Sequence, residues 1–237
     1  MSTTPLPANV HISQHPCAQA KLSQLRSTKA GARETRALLH EISTIIAVEA
    51  TAAGLTVKNG PIEKTTIGYE YTTATVAPES ISLVPILRSG LGMLDAIQTV
   101  LPEPVPVHHL GLFREPTTLS PVEYYNNLPY HIPGAGSPST APTRNSSASK
   151  LAILLDPVIA TGGTCAAAIQ TLREWGVERV IVLAVLGALP GVVRAAAEWP
   201  EGTEIWLAGL DDDVNDKGMI CPGFGDVGDR LFLTIGK

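Results

Sequence analysis

Apolar positions along this chain follow two different rhythms. Between residues 18 and 53, Leu38, Leu39, Ile42, Ile45 and Ile46 recur at steps of three and four. That is the stripe of a helix packed against something, and Gly54 reads as its stop. From residue 81 onward the apolar residues come instead as short unbroken runs. Stretches 81–87, 150–155, 179–186 and 203–210 read as strands buried on both faces. Stretches 105–113 and 122–130 read as further strands or extended segments, and 90–101, 164–175 and 191–199 as helices. Continuous apolar strands alternating with helices predict an α/β fold, a parallel sheet with helices on both faces.

Two stretches stand apart from this pattern. Residues 1–17, rich in Pro, Ser and Thr, are expected to form a flexible N-terminal arm ahead of a single domain over 18–237. Residues 134–148, nearly all small, polar or Pro, are expected to be a solvated loop inserted between two strands. The 237 residues suffice for one large core, and 44% apolar against 16% charged composition marks a globular chain. The net charge of −5 argues against a general nucleic-acid binder. No apolar run reaches the length of a membrane span, and residues 1–9 lack the pattern of a secretory signal. Cys17, Cys165 and Cys221 are odd in number and have no zinc-ligand spacing. They are expected to be reduced thiols of a cytoplasmic protein.

Chemistry concentrates in Asp156-Pro157-Val158-Ile159-Ala160-Thr161-Gly162-Gly163-Thr164. An apolar strand leads into one carboxylate, then two glycines flanked by hydroxyl residues, then a helix. In open α/β sheets ligands bind at the carboxyl ends of strands, which is where Asp156 is expected. Residues 160–164 offer backbone N–H groups at a helix N-terminus, with the dipole favouring an anion. Thr161 and Thr164 can donate hydroxyl hydrogen bonds to phosphate oxygens. A plain strand-to-helix turn with Thr164 as N-cap is the alternative. No G-x-x-x-x-G-K-[ST] is present, which excludes an ordinary triphosphate P-loop.

This D-P-x-x-A-T-G-G-[ST] run resembles the phosphoribosyl-diphosphate (PRPP) loop of the uracil phosphoribosyltransferases. Pro157 stands where other type I phosphoribosyltransferases carry a second acidic residue. Further segments match in the family's order. Pro85 to Met93 looks like its first PRPP-contacting segment, with Arg88 as the cation, and Gly111-Leu112-Phe113-Arg114 like the segment whose arginine contacts diphosphate. Tyr124-Tyr125-Asn126-Asn127-Leu128-Pro129 looks like the start of its flexible hairpin, and Ile220 to Arg230 like its uracil-binding signature. Residues 41–51 are similar to its N-terminal helix, so the resemblance runs from about Cys17 onward.

The resemblance implies the type I phosphoribosyltransferase fold with a β-hairpin arm and a C-terminal base-binding hood. It implies transfer from PRPP to uracil, giving UMP and diphosphate in pyrimidine salvage. PRPP would be held by Arg88, Arg114, Asp156, Pro157, Ala160, Thr161, Gly162, Gly163, Thr164 and Asp226, and uracil by Ile220, Gly225, Asp226 and Val227. Asp156, Arg114 and Asp226 would serve catalysis, and Tyr124 and Tyr125 a lid. Mg²⁺ is expected to ride mainly on PRPP, with no protein side chain named as its ligand. GTP is a candidate activator, and a homodimer or higher homo-oligomer is expected.

Gly223-Phe224-Gly225-Asp226-Val227-Gly228 also fits the dinucleotide fingerprint G-x-G-x-x-G. Pro222 precedes it, no clear helix pattern follows, and no acidic residue lies about 20 positions on, so that reading is set aside. A Gly-rich loop that presents backbone groups to a flat polar base fits better. His108 and His109, adjacent on a strand candidate, are read as structural, and Asp211-Asp212-Asp213 as a solvated turn rather than a cation site. The chain departs from the family at Met219, where tyrosine is usual, at Asn127, where lysine is usual, and at Leu233, where glycine is common. These departures motivate the competing reading, a degenerate homologue acting as a ligand-binding regulatory or structural partner.

Overall fold

A computed structural model of the chain describes residues 5–115, 120–129 and 148–234, apart from the Arg114 side chain. The elements run β1 (Val10–Ile12), α1 (Pro16–Arg26), α2 (Ala32–Gly54), β2 (Thr56–Lys64), β3 (Glu70–Ala77), β4 (Ile81–Leu87) and α3 (Leu91–Val100). After these come β5 (Leu110–Arg114), β6 (Pro121–Asn126), β7 (Leu151–Leu155), β8 (Val158–Ile159), α4 (Gly163–Trp175) and β9 (Arg179–Ala188). The chain continues through α5 (Leu189–Ala196), β10 (Thr203–Asp211), β11 (Asp213–Val214), β12 (Ile220–Cys221) and α6 (Val227–Phe232).

The unbroken apolar runs form the centre of an eight-stranded sheet ordered β1-β10-β9-β7-β4-β5-β6, with β8 also on β9. Every pairing in it is parallel except β5 with β6. Alternation along each central strand feeds two cores. Leu151, Ile153, Leu155, Ile181 and Leu183 face the helices α1, α2 and α3, whereas Ala152, Leu154, Val180 and Val182 face α4 and α5. The α/β fold with helices on both faces is therefore present.

The helical stripe is spent inside this fold. Leu38, Leu39, Ile42 and Ile46 are buried against the sheet, each side chain stabilising by about 1.5–3 kcal/mol. Buried within the chain, they are not available for an oligomer interface.

Several boundaries differ from the sequence expectation. The arm is shorter than residues 1–17, because Val10–Ile12 adds a parallel edge strand to β10 and α1 begins at Pro16. One expected helix over 18–53 is two, separated at residues 27–31. The extended arm is a separate hairpin of β2 and β3, exposed on both faces. Residues 124–126 lie in β6, which pairs antiparallel with the preceding strand β5, and 127–129 follow it. A short helix, α6, does open after the glycine-rich loop. The loop expected at 134–148 lies outside the described residues except for Ala148.

Candidate active site

The phosphate loop leaves the carboxyl end of β7 and stays stitched to β9. Asp156 donates its N–H to the Leu183 carbonyl at 3.1 Å, and the Pro157 carbonyl accepts from the N–H groups of Val185 and Leu186 at 3.0 and 3.1 Å. Gly162 then turns through φ +75°, and α4 begins with no side-chain cap and no acidic residue in its first turn. Its uncapped N–H groups and the helix dipole make an anion cradle. The loop is braced from behind at van der Waals limits. A Cβ on Gly162 would lie 2.1 Å from the Gly191 carbonyl oxygen, and one on Gly191 would lie 2.0 Å from the Ala160 carbonyl oxygen. A Cβ on Gly163 would meet the Arg194 guanidinium at 3.3 Å, so a cation backs the cradle.

Arg88 follows β4 into the same region. Its guanidinium donates long hydrogen bonds of 3.4 Å to Thr234 Oγ1, lies 3.7 Å from Asp229 Oδ1, and stacks 5.7 Å above the Phe232 ring. This cation is turned toward the C-terminal segment. Thr234 in turn donates to Asp229 Oδ1 at 2.6 Å.

The C-terminal segment closes over the sheet edge as a hood of β11, β12 and α6. Residues 223 and 224 are fastened by Arg26, Asp211 and Arg230. Asp226 is the N-cap of α6, its Oδ1 accepting the Asp229 N–H at 3.0 Å. One of its oxygens therefore has a structural duty beside the role the resemblance assigns.

A cavity of about 310 Å³ joins these parts. It is lined by Arg88, Asp156, Ala160, Thr161, Gly162 and Thr164 from the PRPP side, and by Ile220, Gly225, Asp226 and Val227 from the hood. Tyr124 also lines it. Three expected residues do not. Pro157 is buried and braces the loop through its carbonyl, Gly163 backs onto Arg194, and Tyr125 is exposed opposite Gly111 of β5. The Arg114 side chain lies outside the described residues, although its backbone ends β5 beside the site.

The departures from the family pattern have definite places. Met219 is half-buried at the cavity wall, its N–H donated to Asn215 Oδ1 at 3.0 Å. The Asn127 side chain accepts the His109 N–H at 2.6 Å and so closes the β5–β6 pair. Leu233 ends α6 with φ +56°. Asp211, expected in a solvated turn, is instead buried in an ion pair with Arg26.

Titration is perturbed at Cys165, in the cavity wall, and at His108, beside the far end of α4. Burial pushes the Cys165 thiol well up, and the neighbouring Asp156 charge adds to it, so this cavity cysteine stays protonated. Burial, with the charge of His109, pushes His108 down; its ring meets Trp175 edge-on at 5.2 Å. Among the described residues no three His, Cys, Asp or Glu side chains gather to hold a metal ion. No described helix is long and apolar enough to cross a membrane.

Sequence signals for the bracing residues were weak. Gly191 follows Pro190 at the start of α5, which by itself reads only as a helix beginning. Arg26 ends α1, where a cation commonly meets the helix dipole.

Comparison with known proteins extends this picture over the whole chain. It is 41% identical to a uracil phosphoribosyltransferase of Roseiflexus castenholzii over 95% of this chain and 98% of the relative. It is 36% identical to a uracil phosphoribosyltransferase of Bacillus cereus with the same two coverages. A solved structure of the AQ2163 protein from Aquifex aeolicus superposes with a TM-score of 0.81 at 29% identity, covering 95% of this chain and 98% of that one. The family profile described as uracil phosphoribosyltransferase matches residues 12–234, which take in both the phosphate loop and the hood, and the chain belongs to that family.

Proposed function

We infer that this pentosyltransferase joins uracil to PRPP, releasing UMP and diphosphate. One observation carries the reading: a helix N-terminal anion cradle and a glycine-rich backbone loop face a single cavity, with the buried carboxylate of Asp156 in its wall. The cradle suits the 5′-phosphate of a phosphorylated sugar. The hood suits a base read by backbone groups, because uracil offers two carbonyl acceptors and one N–H donor on its non-reacting edge.

The bond that breaks joins ribose C1 to diphosphate, and the bond that forms joins C1 to uracil N1. Residues 160–164 would anchor the 5′-phosphate, and Asp156 would hydrogen-bond the ribose hydroxyls. These contacts hold C1 in line with N1. Arg88 would leave its Asp229 and Thr234 contacts to meet the diphosphate, and Arg114 would add a second guanidinium to those oxygens. The N1 proton leaves as the new bond forms, and Asp226, the hood's carboxylate at the cavity, would receive it. Tyr124 would close over the site with its strand and keep water from PRPP.

Mg²⁺ fits as an ion carried by PRPP. The cavity holds two carboxylates, Asp156 and Asp226, hard oxygen donors that suit it, and one Asp226 oxygen is already committed to the α6 cap. When bound, the ion supplies Lewis-acid stabilisation of the departing diphosphate.

The reading extends to a cytoplasmic enzyme of pyrimidine salvage that works as a homodimer or larger homo-oligomer. Exposed Val57, Ile62, Ile67, Tyr69 and Tyr71 along the β2–β3 hairpin support self-association.

The test is product formation with PRPP, Mg²⁺ and each of uracil, cytosine, hypoxanthine and orotate, with and without GTP as activator. UMP from uracil alone supports the reading. PRPP binding without turnover of any base would overturn it in favour of a ligand-binding homologue.

A further inference from the structure

Asp211 is the last residue of β10, at the same edge of the sheet as Asp156. Asp212 and Asp213 beside it are exposed, but Asp211 is only 8% exposed. Its Oδ1 accepts from Arg26 Nη2 at 2.6 Å and its Oδ2 from Arg26 Nη1 at 2.8 Å, a two-pronged pair. The pair then takes hold of one residue of the hood. Gly223 donates its N–H to Asp211 Oδ2 at 2.9 Å, and its carbonyl accepts from Arg26 Nη1 at 2.8 Å. Both backbone polar groups of Gly223 are thus fixed by one ion pair that reaches in from distant parts of the chain.

The grip sits where the loop doubles back. Gly223 has φ +57°, and a Cβ there would lie 2.3 Å from the Ile220 carbonyl oxygen. Arg230 secures the next residue, donating to the Phe224 carbonyl at 2.7 Å and the Leu25 carbonyl at 2.8 Å. Past that point the fastening stops. Among the described residues the N–H groups of Gly225, Asp226 and Val227 make no hydrogen bond to the rest of the chain, and all three residues line the cavity. A buried ion pair contributes little net stability, since apolar residues of similar size often replace it without loss. What this pair supplies is direction. It sets where the loop starts its run of unpaired N–H groups.

We propose that Arg26 and Asp211 are positioning residues for the base, setting uracil affinity by holding Gly223 by its N–H and carbonyl together. The proposal rests on the uracil reading above. Asp211→Asn keeps the side-chain shape but removes the charge and turns one acceptor into a donor. Arg26→Lys keeps the charge but loses the planar fork.

Initial rates are measured with uracil varied at saturating PRPP and with PRPP varied at saturating uracil. Asp211→Asn raises KM for uracil about 10- to 100-fold, the range for lost hydrogen bonds to a charged group, and KM for PRPP less than about 3-fold. Arg26→Lys moves the same way by less. A wild-type KM for uracil in Asp211→Asn overturns the proposal. So does an equal rise in both KM values, which marks a general structural role. Should Asp211→Asn fail to fold, Arg26→Lys decides on the same criterion. A wild-type protein that makes no UMP sinks the uracil reading itself, whereas an active wild type with an unmoved uracil KM in the variants sinks only this proposal.

Discussion

Adding one methyl group at Gly191 tests the bracing of the phosphate loop. The added Cβ of Gly191→Ala would lie 2.0 Å from the Ala160 carbonyl oxygen and 2.8 Å from the Gly162 nitrogen. An ordinary C···O contact is about 3.3 Å, so the loop or α5 must retreat by more than about 1 Å. Both neighbours are backbone and cannot rotate away as a side chain would. Overpacking of this kind costs about 1–3 kcal/mol, which lowers the melting temperature of a chain this size by about 2–12 °C. The larger effect falls on function. Displacing a positioning element by about 1 Å can cost about 100-fold in rate, equivalent to about 2.7 kcal/mol of transition-state stabilisation. The assay is kcat/KM for PRPP at saturating uracil, with PRPP affinity measured by calorimetry. Gly31→Ala is the control, because an added methyl there meets nothing within 4 Å. A Gly191→Ala enzyme with kcat/KM for PRPP within about threefold of wild type would show that residues 160–164 do not hold the phosphate as argued.

Three further outcomes follow from the same geometry. Asp156→Asn should cut turnover by about 100-fold or more, as loss of a preorganised charged contact does, with an unchanged circular dichroism spectrum; wild-type turnover would remove Asp156 from the mechanism. His108 has a pKa lowered from its ordinary value by burial, so it contributes stability above about pH 6.5 that is lost as pH falls through the lower folded value. His108→Phe should therefore show a smaller drop in melting temperature between pH 7.5 and pH 5 than wild type, and an equal drop would refute this. Leu233 ends α6 in the left-handed region while 75% exposed, so Leu233→Gly should raise stability by up to about 1 kcal/mol in urea unfolding; a lower midpoint would contradict that.

Much of the fold was readable because the central strands are buried on both faces. Runs such as Leu151–Leu155 carry no polar residue and cannot be confused with a half-exposed strand. The β2–β3 hairpin was not readable for the opposite reason. Its residues are exposed on both faces, with Pro61 and several charges among them, so no alternation marks it. Strand β1 is only three residues and exists through its pairing with β10, and α6 is too short to show a helical period. The split between α1 and α2 has no proline to announce it.

For the cavity, the phosphate loop and the hood were both legible as local motifs. Their partners were not. Gly191, Arg194, Arg26 and Asp211 act through contacts with residues far along the chain, and Asp211 lay disguised in an acidic triplet. Tyr124 lines the cavity and Tyr125 does not, a distinction the motif alone does not draw.

A crystal structure of the protein with UMP bound tests the central claim most directly, because UMP spans both halves of the cavity. The account predicts the 5′-phosphate within hydrogen-bond distance of the backbone N–H groups of residues 161–164, and the uracil ring edge against the backbone of Gly225 to Val227. A phosphate seated away from that loop, or a base held outside the hood, would contradict it.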